Sequence, residues 1–262
     1  MKMHNLIREP IFSHGRLMVL FGAKAANLGR AKEHDCQTYV FSENGGRLSA
    51  GRAGNEVLVP RNSLVRVNRG TRFSFLPAQS EDIVVVKTIG EPDASTYART
   101  PTEAQFAAMR PNTRELNGKT LSYLDGNIMV FTQESRFIPG NPGRVTGWYT
   151  HNFKGCDIAI AADEWKEVRA AEAIHRHIFA TEFVIAREGE ITLHHGGKTS
   201  MPHGGKETRL LPGHLYFVEP KEGQFHTIKS ITLGASGFNK KITINFPAAL
   251  GVQGERILLD SP

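Results

Sequence analysis

A chain of 262 residues, 40% of them hydrophobic, has room for one large all-β domain or two of ordinary size, and enough apolar content to build a packed core. Its two cysteines, Cys36 and Cys156, exclude a disulfide framework and lack the paired spacing of a zinc ribbon, so they are read as buried free thiols. The formal charge of +6 raises the question of nucleic acid, but Lys and Arg are scattered, without a basic run or a basic helix interleaved with aromatics, which argues for a solvated surface or attraction of an anionic small molecule.

The chain opens with MKMHNLIREP, which lacks the apolar core of a signal peptide, and no later apolar run reaches the roughly 20 residues of a membrane helix. A cytoplasmic protein with neither a membrane nor a nucleic-acid partner is expected. Short stretches rich in β-branched and aromatic residues then follow in order: 39–50, 55–60, 72–77, 82–90, 127–133, 156–162, 181–195, 214–220 and 241–247. Gly, Pro or Asn usually bounds them, which is the pattern of an all-β chain. One helix is predicted, TPTEAQFAAMRP, with Thr100 as cap, Pro101 at the first helical position, Glu103 completing a capping box and Pro111 as stop.

That helix sits in a long polar stretch, and the same order of features occurs on either side of it. YVFSENGGRLS followed by EVLVPRNSLVRV is answered by FVIAREGEITL followed by RLLPGHLYFVEP: a glycine-turn hairpin, then an apolar-Pro step into another strand. The predicted organisation is an N-terminal β-domain over 1–92, a linker with a short helix over 93–120, and a second β-domain over 121–262.

In the second half, HRHIFATEFVIAREGE places His175 and His177 one residue apart, and alternation along a strand sends both to the same face. Glu182 opens the next strand, and its pairing is expected to carry it back beside the histidines. GHLYFVEPKEGQFHTIKS then brings His226 after a Pro and Gly turn. Three imidazoles and a carboxylate suit a divalent first-row metal with up to two octahedral positions open. An isolated His-x-His pair is more often structural; here Glu182, Gly189 and His226 accompany it. His194, His195 and His203 fall in HHGGKTSMPHGGKE, which reads as a mobile polar loop between strands. Trp165 reads as core, and Tyr216, Arg187 and Gln224 as residues that could line the interior.

These residues resemble the first motif of the cupin superfamily, G-x5-H-x-H-x4-E-x6-G: His175, His177, Glu182 and Gly189 match it in type and spacing, while Arg169 stands at the leading glycine. The second motif, G-x5-P-x-G-x2-H-x3-N, is met by Gly213, Pro220, Gly223 and His226, with two extra residues and with Ser230 in place of Asn. The resemblance implies a bicupin, two jelly-roll barrels joined by a linker, with one metal ion in the second. It makes His175, His177, Glu182 and His226 the metal ligands and Glu182 the candidate catalytic residue. In the first barrel the ligand slots fall at Ala31 or Lys32, Glu33 or His34, Thr38 or Tyr39, and Phe73 or Ser74, a set that does not hold a metal in the same way.

The implied cofactor is a divalent transition metal, Fe(II) first, with Mn, Ni or Zn as alternatives. The implied activity is that of a metal-dependent cupin enzyme on a small polar or anionic metabolite, an Fe(II)-type dioxygenase. Metal-dependent isomerase, decarboxylase or lyase chemistry stays open, as does a non-catalytic ligand-binding cupin, and a homo-oligomer is compatible with the fold.

Overall fold

A computed structural model describes residues 2–23, 25, 36–50, 55–79, 83–90, 118–124, 128–133, 137–138, 141–148, 157–166, 174–196, 205–221, 224–248 and 256–258. The elements defined among them are β-strands, so the chain is all-β as expected. The expected helix over 100–111 lies outside the described residues, as does Cys156, whereas Cys36 and Trp165 are buried. Among the described residues no helix is long and apolar enough to cross a membrane.

The chain forms two compact units. One comprises Asn5–Glu91 with Leu116–Glu134, the other Met1–His4, Pro92–Glu115 and Ser135–Pro262. Two exchanges therefore cross the sequence positions 92 and 120. Lys2–Asn5 joins a sheet of the second unit, while Gly118–Leu124 and Ile128–Gln133 complete a sheet of the first.

In the first unit a seven-stranded sheet runs in the order Gly118–Leu124, Ile128–Gln133, Ser63–Val67, Cys36–Ser42, Ile83–Ile89, Leu17–Phe21, Ile11–His14. A three-stranded sheet, Asn55–Val59, Gly46–Ala50, Phe73–Pro77, supplies the other wall. All of Cys36–Ser42 and Ser63–Val67 is buried, so these central strands do not show the exposed-buried alternation of a strand with one solvated face. Between the sheets lie Val40, Leu48, Val65, Phe73, Phe75, Ile83 and Val85, a closed hydrocarbon core.

The second unit repeats the central strand order, with a smaller sheet of five strands in place of three. Its seven-stranded sheet runs Lys2–Asn5, His214–Val218, Thr181–Glu188, Asn239–Phe246, Ala159–Trp165, Asn141–Trp148, Phe137–Ile138. Its five-stranded sheet runs Lys206–Leu210, Ile191–His195, His226–Ile231, His175–His177, Arg256–Leu258. Val184, Ala186, Tyr216 and Val218 from the first sheet meet Ile191, Leu193, Leu210 and Ile228 from the second. The sheets are those of a jelly roll, in which antiparallel strands enclose a core and leave few open edges.

The glycine turns do not make simple hairpins. Cys36–Ser42 and Gly46–Ala50 lie in different sheets, as do Thr181–Glu188 and Ile191–His195, so each turn carries the chain around a corner from one wall to the other. Gly45 and Gly189 both stand at φ 73. A Cβ at Gly45 would meet the Val59 carbonyl oxygen at 2.3 Å, and one at Gly189 the Thr232 carbonyl oxygen at 2.2 Å. Only glycine fits such a corner, because it alone tolerates both the left-handed backbone and the close approach.

Candidate metal centre

The strand His175–His177 is short and alternates buried, half-buried, buried, so both histidines face the interior and Arg176 faces away. In the same sheet His226 is the direct register partner of His175, and opposite partners in an antiparallel pair share a face. Glu182 comes from the facing seven-stranded sheet. Glu182 does not return beside the histidines by strand pairing, as expected from the sequence; it reaches them across the interior, because the chain turns a corner between His177 and Thr181.

The four side chains converge. Their ligand atoms all lie within 4.8 Å of one another, and every one of the four residues is buried. The imidazole centroids are 4.5 Å apart for His175 and His226, 5.2 Å for His175 and His177, and 5.4 Å for His177 and His226. Glu182 Oε2 is 3.2 Å from His177 Nε2, and Glu182 Oε1 is 3.3 Å from His226 Nε2.

A supporting layer orients these groups. His226 Nδ1–H donates to the Gln224 carbonyl at 3.2 Å, which leaves the Nε2 lone pair directed at the cluster. Tyr216, fully buried on the neighbouring strand, donates its hydroxyl proton to Glu182 Oε1 at 3.2 Å. Burial raises the Glu182 pKa, but the adjacent His177 and His226 outweigh it and hold the carboxyl well below its usual range. Glu182 is therefore an anion at neutral pH, and three imidazoles with one carboxylate match the donor chemistry of a divalent first-row metal.

Other residues singled out in the sequence fall in different places. His194 and His195 are not in a loop: they end the strand Ile191–His195, whose pairing with Lys206–Leu210 and His226–Ile231 extends through both. His195 is the register partner of His226 on the side away from His175, and its Nε2 lies 2.7 Å from the Thr208 hydroxyl. Burial is the main cause of a lowered His195 pKa, with the charges of its neighbours adding to it. Ser230 is exposed, so it takes no part in the cluster, and His203 and Gly223 lie outside the described residues.

One further residue on the same wall lies outside the family motifs. Asn245 is the direct register partner of Glu182 on Asn239–Phe246 and has no exposed surface. Its signal was the alternation in KITINF, where Lys241, Thr243 and Asn245 share one face while Ile242 and Ile244 share the other.

No protein-family profile matches this sequence, and no curated protein matches it. Solved structures do match. Streptomyces albus HEPD with 2-hydroxyethylphosphonate and Fe(II) bound aligns with a TM-score of 0.55 at 11% identity, covering 94% of this chain and 75% of that one. Bacillus subtilis oxalate decarboxylase, described for its Mn(II) centres, aligns at 0.55 and 14% identity over 98% and 74%. Vicilin from hazelnut, Corylus avellana, aligns at 0.51 and 13% identity over 98% and 88%. At these identities the likeness is one of fold. The chain has the cupin fold, and one of its units carries a buried His-His-Glu-His group whose ligand atoms could hold a metal ion.

Proposed function

We propose that this protein is a metal-dependent cupin enzyme acting on a small polar or anionic metabolite, with one divalent ion held by His175, His177, Glu182 and His226. In this reading each of the two units is a cupin barrel, and the ion sits in the second. The observation that carries it is the convergence of four buried donors within 4.8 Å, with Glu182 held ionised among imidazoles. A buried carboxylate calls for a compensating positive charge, which a divalent ion at this cluster would supply.

A bound Fe(II) or Mn(II) would supply open coordination positions, together with Lewis acidity or redox chemistry. The protein's own part follows from its residues. The Gln224 carbonyl fixes the His226 tautomer, the Tyr216 hydroxyl holds one oxygen of Glu182, and Val184, Val218 and Ile228 form a dry wall that strengthens every polar contact made inside.

Fe(II) dioxygenase chemistry is the first reading, supported by the fold shared with a structure that holds Fe(II) and a phosphonate. A decarboxylase is the second, supported by the fold shared with an enzyme described by its Mn(II) centres. Metal analysis of protein purified without chelator, followed by oxygen uptake and CO2 release on a panel including 2-hydroxyethylphosphonate and oxalate, decides between them. About one metal per chain is expected; none after metal supplementation would overturn the reading.

A further inference from the structure

The inner face of Asn239–Phe246 carries four polar residues, Asn239, Lys241, Thr243 and Asn245, all buried. Three are engaged by the protein. Asn239 Nδ2 donates to the Glu190 and Thr232 carbonyls at 3.0 and 3.1 Å. Lys241 Nζ lies 3.6 Å from Asp163 Oδ2 and donates to the Thr243 hydroxyl at 3.3 Å. Asn245 differs: neither its Oδ1 nor its Nδ2 meets a hydrogen-bond partner among the described residues, and its exposure is 0%. Buried carboxamides in that state are uncommon, because each unmet donor or acceptor has given up its water.

Its position gives the reason. Glu182 is flanked by Val218 on one side and Asn245 on the other, and direct partners in such a ladder stand with Cβ atoms about 4.5–5.5 Å apart. Beyond Asn245 the next partner is Ala159, a small residue. The carboxamide thus stands beside the ligand group Glu182.

We propose that Asn245 is a substrate-binding residue whose Nδ2–H donates to an oxygen of a small oxyanion, a carboxylate or phosphonate, bound at the metal. The proposal rests on the metal reading above and adds the ligand's chemistry to it. A divalent ion with three neutral imidazoles and one carboxylate retains a single net positive charge, which favours an anion in the open positions. The other acid on this face, Asp163, is already matched by Lys241. An oxyanion with one oxygen toward the cation keeps another for the amide, and a charge-assisted bond of this kind is stronger than one to a neutral group.

The test uses the full chain loaded with Co(II), whose visible spectrum reports changes at the metal, titrated separately with acetate, oxalate and methylphosphonate. The parent is expected to bind at least one of the three, and the tightest binder tells carboxylate from phosphonate. Asn245→Ala should keep its Co(II) and bind that oxyanion about 10-fold more weakly, the loss of one hydrogen bond to a charged group. Asn245→Asp keeps the shape but cancels the site's net charge, so it should abolish oxyanion binding; if the alanine variant does not fold, the aspartate variant decides. Unchanged oxyanion affinity in the folded variant, or loss of Co(II) from Asn245→Ala, overturns the proposal. A parent that binds Co(II) but none of the three oxyanions also overturns it while leaving the metal reading intact; a parent that binds no Co(II) removes the metal reading itself.

Discussion

In one unit Thr38 stands between Val67 and Lys87; in the other Glu182 stands between Val218 and Asn245. Gly45 follows Thr38 at the same interval as Gly189 follows Glu182, and both glycines turn the chain around a corner at φ 73. The strand orders around them correspond, so these are equivalent places in two copies of one architecture. The contents differ. Thr38 and Lys87 border an interior packed with Val40, Phe73, Phe75, Ile83 and Val85, while Glu182 faces three histidines. Phe73, on the strand equivalent to His226–Ile231, occupies the place of His226. A jelly roll requires a filled interior and is indifferent to whether rings of phenylalanine or of histidine fill it; the chemistry is an option the fold accommodates.

Emptying the second unit of its donors should have the largest effect. The double substitution His177→Ala with His226→Phe removes two of the four donors and leaves an aromatic ring like Phe73 in place. Bound metal is expected to fall from about one per chain to background, with the far-ultraviolet circular dichroism of the fold retained. Metal analysis of parent and variant after identical loading checks it, and full occupancy in the variant would dismiss the centre.

Breaking the first unit's filling should instead lower stability and leave the metal alone. Phe75 is 4% exposed within the hydrocarbon core, and Phe75→Ala is expected to destabilise its unit by about 3–5 kcal/mol through lost burial and the cavity left behind. Denaturant unfolding gives the stability change. Metal content measured alongside it should equal that of the parent.

The shared corners make a finer comparison. Gly45→Ala and Gly189→Ala each place a Cβ in the left-handed region, which for an L-residue costs about 1–2 kcal/mol before any collision. Both would also meet a carbonyl oxygen, at 2.3 and 2.2 Å. Similar losses in the two variants, read as midpoint shifts in denaturant, are expected if the corner is structural in both units. A loss confined to Gly189→Ala would tie that glycine to the metal group instead.

Much of this was legible in the sequence because local rules decided it. His175 and His177 share a face by strand periodicity, and Gly189 marks a turn that only glycine makes. What stayed hidden depended on register between strands distant in sequence. No local pattern tells that Glu182 would reach the histidines from the opposite sheet, or that Asn245 would be its partner. Central strands misled in another way. In KITINF the polar residues Lys241, Thr243 and Asn245 point into the interior while Ile242 and Ile244, on the other face, are buried too, so alternation alone does not name the inner side. Edge strands such as Lys2–Asn5 and Ile11–His14 lacked the β-branched density used to find strands, and Leu17–Phe21, though apolar throughout, was passed over because it is short.

The smallest expected effect separates charge from shape at the position where the two units differ most. Glu182→Gln keeps the side chain's volume and an oxygen donor while removing the charge, so much of the metal should stay bound with a lower affinity than in the parent. The metal-free protein gives the cleaner reading. Because the folded-state pKa of Glu182 lies below its ordinary value, its ionised form favours the folded state at every pH above the ordinary carboxylate range, and that contribution is lost as pH falls through the lowered value. Glutamine cannot titrate, so the variant's melting temperature should depend less on pH on the acid side than the parent's, with the curves diverging as pH rises out of the acid range. Thr38, the equivalent residue of the other unit, has no charge to lose, and Thr38→Val should leave the pH dependence as it is in the parent. Melting curves of the three chelator-treated proteins across the acid range test this; parallel curves for parent and Glu182→Gln would mean that the carboxylate is not held ionised by its histidines.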